Sequence, residues 1–322
     1  MSRSKTFVMV IGALGLLAET AFAQSTDPSA PMTREKIQEY FRLSNHNDPR
    51  QYDYFVDDVD MEGGALKGRA AFRARTEQMR RDAAITMTPG LIAIDDSQDM
   101  MAVEMTIHLV ALRDGVELGD QPQPVHKGDA VTRQQTFFFA LRDGRITSLT
   151  VGGGERVRQK ADLAAARAEA PTAAQLAEPM PASINERLMT HQKYLDYAML
   201  FSRFDPRFLQ YYDPDVVFAT APAPQPLHGP KAIHDLYVPI RRNLDEHITA
   251  PIIVVDNSHD VMFVQLRNRM VATRGDVDLP SGVLKMGEEM IGNGVIVYSL
   301  KNGKISYIRA AASGSRFEPA AR

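Results

Sequence analysis

Cysteine is absent from all 322 residues, which excludes disulfides, thiolate catalysis, a zinc–thiolate centre and lipid attachment through an N-terminal cysteine. Stability therefore has to come from packing. An excess of positive charge is missing too: 37 Lys and Arg stand against 40 Asp and Glu, scattered rather than gathered into a stripe. Nucleic acid is accordingly not an expected partner. The eight histidines (His46, His108, His126, His191, His228, His234, His247 and His259) show no paired spacing on one helix face, and no Gly-rich phosphate loop or nucleophile elbow is present. Neither a metal nor a cofactor is expected.

Long apolar runs are lacking beyond the first residues. Arg3 and Lys5 precede an apolar stretch, Phe7–Ala18, that ends in Ala21-Phe22-Ala23. This is the pattern of a secretory signal peptide over 1–23. A membrane anchor needs about 20 apolar residues, and Glu19 interrupts the run too early. The expectation is a periplasmic or secreted mature protein, without a membrane span, that starts with a flexible leader at 24–32. Its apolar and charged fractions, 44% and 24%, are those of a globular chain.

What is present is a repetition. Asp48-Pro49-Arg50 returns as Asp205-Pro206-Arg207 at an offset of 157, which also carries Tyr40 onto Tyr197 and Tyr54 onto Tyr211. Leu66-Lys67-Gly68 returns as Leu227-His228-Gly229 at an offset of 161, held from Ile94–Val103 to Val255–Val264; Phe139–Ile146 returns as Tyr298–Ile305 at 159. Three collinear blocks read as a duplicated domain. The copies span 33–153 and 185–315, joined by an Ala/Pro-rich, partly helical linker at 154–184.

Each copy opens with a helix, marked by Ile37, Tyr40, Phe41 and Ser44 at i, i+3, i+4 and i+7. Asp48 and Asp205 then cap a short second helix with proline at its first position. Gly68 and Gly229 open a third. Alternating strands follow, with Asp143-Gly144 and Asn302-Gly303 as hairpin turns. The fold class is α+β: three helices on a curved antiparallel sheet, twice.

This order of helix, Asp-Pro-Arg helix, strand, Leu-x-Gly helix and terminal hairpin resembles the NTF2-like superfamily in its SnoaL-like branch. The resemblance implies a cone-shaped apolar pocket between helices and sheet. That superfamily includes ketosteroid isomerases, dehydratases, epoxide hydrolases and polyketide cyclases beside members that only bind ligands, so fold does not give function. Tyr40 and Tyr197 match the position where ketosteroid isomerases place an oxyanion-stabilising tyrosine. The general-base position, however, falls at Gly63 and Thr220, and the acidic oxyanion-hole position at Thr136 and Val295.

Glu62 and His108 are the remaining candidates for moving a proton near Tyr40. If Thr136 faces the cavity, alternation brings Thr132, Gln134 and Phe138 there, and Asn293 in the second copy. On the preceding strand Val103, Met105, Ile107 and Leu109 are expected inward, with Asn268 the polar exception among their counterparts. Tyr54 lies near the mouth. The opposite faces carry Glu104, Thr106 and His108 in one copy and Gln265, Arg267 and Arg269 in the other, which suggests an intramolecular pseudo-dimer with Glu104 facing Arg267 and Arg269. Two functions follow: binding of a small apolar or aromatic molecule, or a cofactor-independent lyase, isomerase or hydratase in the first copy using Tyr40, Glu62 and His108.

Overall fold

The computed structural model describes residues 27, 29–118, 125–154, 156–220 and 223–320, without the side chain of residue 62. The expected signal peptide lies outside them. The first half runs α1 (Arg34–Asn45), a 3₁₀ turn (Pro49–Tyr54), β1 (Phe55–Met61), β2 (Leu66–Lys67), α2 (Arg69–Asp82), β3 (Ala83–Asp95), β4 (Met100–Ala111), β5 (Ala130–Arg142) and β6 (Arg145–Val151). Between the halves lie β7 (Arg156–Lys160), α3 (Leu163–Ala168) and α4 (Ala173–Leu176). The second half runs α5 (His191–Ser202), a 3₁₀ turn (Pro206–Tyr211), β8 (Tyr212–Ala219), β9 (Leu227–His228), α6 (Pro230–Arg241), β10 (Leu244–Asp256) and β11 (Val261–Ala272). It ends with β12 (Val277–Leu279), β13 (Gly282–Leu284), β14 (Glu288–Lys301), β15 (Lys304–Ala310) and β16 (Gly314–Glu318).

Thr33 and Thr190 cap α1 and α5 by accepting from the backbone N–H three residues on. The expected second helix is a six-residue 3₁₀ turn in each half, capped by Asp48 or Asp205. In each half a strand begins directly after it, at Phe55 or Tyr212, and ends the turn there. The two sheets have the same order, β2-β1-β6-β5-β4-β3 and β9-β8-β15-β14-β11-β10, antiparallel except for β1 with β6 and β8 with β15. Two matching α+β halves with curved sheets fit a tandem duplication.

Separate cores lie under the helices of each half, around Tyr40, Phe55 and Met101 in the first and around Tyr197, Phe208 and Met262 in the second. A third cluster joins the halves: Ala93, Ala102 and Phe138 pack with Val254, Val261, Phe263, Val295 and Val297 from the other sheet's outer face. Polar contacts around it are reciprocal. Asp95 accepts from Val255 N (2.9 Å) and lies 3.0 Å from His191 Nε2, while Asp256 accepts from Ile94 N (3.2 Å) and Arg34 Nη2 (2.8 Å). Both carboxylates are 3% exposed.

The halves also exchange strands. After β6 the chain crosses through Gly152–Gly154 and pairs as β7 with β14 of the second sheet, Arg156 opposite Gly292. After β15 it crosses back and pairs as β16 with β5 of the first, Ser315 opposite Arg133. The segment expected to be only a linker thus begins as a strand of the second sheet. The Glu104 pairing also differs from expectation. Its carboxylate takes a bidentate contact from Arg309 (2.6 and 2.7 Å), because β15 is the strand that passes it, whereas Arg269 turns to Glu289 (2.8 Å) and Glu169 (2.6 Å).

Candidate functional site

On the concave face of the second sheet, Leu266, Asn268 and Met270 of β11 align with Met290, Gly292, Gly294 and Ile296 of β14. Tyr237 and Ile240 of α6, with Leu244 and Glu246 of β10, close over them around a cavity of about 730 Å³. Gly294 leaves the wall open, since a side chain built there would meet nothing within 4 Å. At Asn293–Val295 one edge of β14 changes partner from β15 to β7. There the lining passes to the crossing chain, Gly152–Gly154, and to Arg133–Thr136 of the first sheet.

A polar chain sits in this apolar wall. Arg241 Nη1 donates to Glu246 Oε2 (2.8 Å), and Asn268 Nδ2 donates to Glu246 Oε1 (2.6 Å). The Arg241 and Glu246 side chains are only 5% and 6% exposed. Arg241 is anchored further by the carbonyls of Phe201 and Ser202 and by the face of Phe204 at 5.4 Å. Asn268 Oδ1 is buried without a hydrogen-bond partner among the described residues. An unmet acceptor of this kind costs about 1–3 kcal/mol. Burial first, and the Glu246 charge second, push the Tyr237 phenol well above its ordinary pKa, so at neutral pH it is a neutral hydroxyl at the same wall.

The residues named from sequence are dispersed. Tyr40 and Tyr54 lie in the first core with ring centroids 5.6 Å apart, and burial drives the Tyr40 pKa upward. Tyr197 is buried in the second core, its hydroxyl 2.9 Å from that of Tyr212 and its pKa raised chiefly by burial. His108 lies on the face of β4 that carries Ala102 and Glu104, its Nδ1 3.0 Å from Thr132 Oγ1. It therefore stands across the sheet from the core holding Tyr40, and the two are not brought together. The Glu62 side chain lies outside the described residues; its backbone is in a 3₁₀ turn.

Thr136, Gln134 and Thr132 do not face the first cone. They share the parity of Phe138, which packs between the sheets, while Phe137 and Phe139 point to the first core. β5 alternates without a break, Phe137, Phe139 and Leu141 all facing the first core, so a count of eight back from the hairpin glycine lands on the outward set; the register shift in the β5–β6 ladder puts its extra residue, Thr147, on β6. In the second half β14 alternates in the same way, with Ile296, Tyr298 and Leu300 on the core side, and Asn293 is turned out to the crossing, against Gly154. Of the named residues, Asn268 lines the concave part of the cavity, and Gln134, Thr136 and Asn293 line the part at the crossing.

Glu246, Arg241 and Tyr237 were not singled out from sequence. The available signal was alternation along β10, where Leu244, Glu246 and Ile248 share a face and the carboxylate interrupts an apolar series. Among the described residues no cluster of three His, Asp or Glu is arranged to hold a metal ion, and no helix is long and apolar enough to cross a membrane.

No protein-family model matches the chain, and no curated protein matches its sequence. Solved structures match part of it, among them several described as polyketide cyclases. A SnoaL-like polyketide cyclase from Agrobacterium tumefaciens is 16% identical, with 36% of this chain and 85% of that one covered and a TM-score of 0.31. The epoxide hydrolase/cyclase-like enzyme SalBIII, of pyran ring formation in salinomycin, is 22% identical over 36% and 84%, with a TM-score of 0.28. A computationally designed 17-OHP binder is 20% identical over 36% and 86%, with a TM-score of 0.29.

Proposed function

We propose that this chain is an exported tandem NTF2-like protein whose halves pair as an intramolecular pseudo-dimer and whose second cone holds a small apolar or aromatic molecule bearing one hydrogen-bond donor. The observation that carries the reading is the cavity of about 730 Å³, whose concave part has apolar walls and one polar chain, Arg241–Glu246–Asn268, while Gln134, Thr136 and Asn293 line its part at the crossing. Its size suits a drug-sized ligand. Leu244, Leu266, Met270 and Met290 supply the apolar contact, and methionine adapts to irregular shapes. The Asn268 carbonyl is the acceptor that a ligand hydroxyl or N–H would meet.

Binding is favoured over acid/base turnover by how Glu246 is held. Each carboxylate oxygen already accepts from an internal donor and the side chain is only 6% exposed, which leaves its remaining lone pairs little access to a ligand proton. In the first cone the proposed partners Tyr40 and His108 lie on opposite sides of the sheet.

Titration with 2-naphthol and with 2-methoxynaphthalene, followed by probe fluorescence, tests the reading. Saturable binding of the naphthol is expected, with the methoxy analogue about tenfold weaker or more for want of a donor. Leu266→Trp should abolish both by filling the cone, and Asn268→Leu should remove the preference for the naphthol. Equal binding to wild type and Leu266→Trp would refute the assignment of the site.

A further inference from the structure

The two copies differ at one polar position in a way that assigns the first cone a separate ligand. Arg80 is the counterpart of Arg241 at the offset of 161, and each leans on the end of its half's first helix: Arg241 on the Phe201 and Ser202 carbonyls, Arg80 on Ser44, whose carbonyl and hydroxyl (3.1 Å) it contacts through Nη2. In the second copy Nη1 of this arginine carries the Glu246 carboxylate. The counterpart of Glu246 is Ile85, and that of Asn268 is Ile107. The arginine has been kept and its anion lost.

The surroundings of Arg80 are poised for a replacement. Its Nε is buried without a hydrogen-bond partner among the described residues, as is the hydroxyl of Tyr52, a residue 5% exposed. A cation partly withdrawn from water without a counter-charge is unfavourable, and the partial burial of Arg80 accordingly pulls its pKa down. The inward side chains of the sheet in this half are apolar and incompletely covered. Ile85, Met87, Ile107 and Phe137 point inward but are only half-buried, and α2 buries none of its own residues, in contrast to α6, which buries Ile233, Tyr237 and Arg241.

We infer that the first cone binds a small molecule with an apolar body and a carboxylate, the ligand's carboxylate taking the place that Glu246 occupies beside Arg241 in the second copy. Arg80 supplies the charge, and the half-buried apolar residues take the body. The ligand thus differs in class from that of the second cone, which already contains its own carboxylate.

Isothermal titration of the mature chain with decanoate and with decanol, on the background of Leu266→Trp to fill the second cone, tests this. Decanoate is expected to bind about tenfold or more tightly than decanol, as a charge-assisted hydrogen bond requires. Arg80→Met should abolish that difference while leaving decanol unchanged. Ile85→Glu, which restores the internal anion, should exclude decanoate with Arg80 still in place, and circular dichroism confirms that each variant is folded. Equal affinity for decanoate and decanol, or decanoate binding unaltered in Arg80→Met, would overturn the inference.

Discussion

Gly144 shows how single positions fix the start of each domain. It lies in the β5–β6 hairpin at φ +68°, and a Cβ there would collide with the carbonyl of Ala30. That close approach lets Lys36, 1% exposed, bind the Gly144 carbonyl (2.8 Å) and the Ala30 carbonyl together. The second half repeats the device with Gly303 beside Arg187 and Lys193 on the Glu186 carbonyl (2.6 Å). Left-handed backbone costs an L-residue about 1–2 kcal/mol, and the clash adds to it. Gly144→Ala should therefore lower stability by about 2 kcal/mol or more in a urea titration, with greater proteolytic access to the segment before α1. An unchanged midpoint would mean that the hairpin and leading segment part without cost.

Among the elements, β16 gives the exchange of strands its clearest test. It pairs over Gly314–Glu318 with Ala130–Gln134 of β5, and Ala320 N donates to Asp129 Oδ1 (2.8 Å) beyond it. Ending the chain at Ser313 removes that ladder from the first sheet while leaving β7 on the second. Amide exchange at Ala130–Gln134 should rise about tenfold or more, since ladder hydrogen bonds set local protection, with Glu288–Gly292 unaffected. Equal rises in both stretches would show the two ladders to be one cooperative unit.

This scale is also where sequence reading stops. Element order, helix caps and hairpin turns follow from local chemistry that each residue carries with it. Strand faces do not: β5 packs Phe137 and Phe139 on the first core and Phe138 on the other half, so with apolar residues on both faces alternation alone does not say which way Thr136 points. The crossing at Gly152–Gly154 was written in the sequence as three glycines, because a Cβ at Gly152 would strike Val295 and Phe138. What they approach, Val295 and Asn293 of the other half and Phe138 of an earlier strand, is not adjacent in sequence, and no local pattern names it. Glu246 was hidden for a similar reason, since its partners Arg241 and Asn268 come from α6 and β11.

For the whole molecule, the joint between the halves carries one contact made by a histidine and one made by an arginine, which respond differently as pH rises. His191 begins α5 as Arg34 begins α1, and each meets a buried carboxylate of the other half, Asp95 or Asp256. The Asp95 carboxylate raises the His191 pKa above its ordinary value, against the opposing effect of burial. Burial works to raise the Asp95 pKa, but the contacts from His191, Ser97 and Val255 N outweigh it and hold it low. A raised histidine contributes stability in full below its unfolded value of about 6.5, and that contribution is lost as pH climbs through the folded value. The depressed carboxylate works in the other direction, losing its contribution as pH falls through its own folded value. The Asp95–His191 contact is thus strongest between those two limits, whereas an arginine keeps its charge across this range. His191→Gln should lower the thermal midpoint near pH 5.5 and leave it closer to wild type near pH 9, while Arg34→Met should lower it at both. Equal losses at the two pH values for His191→Gln would show that the histidine serves this joint by its shape alone.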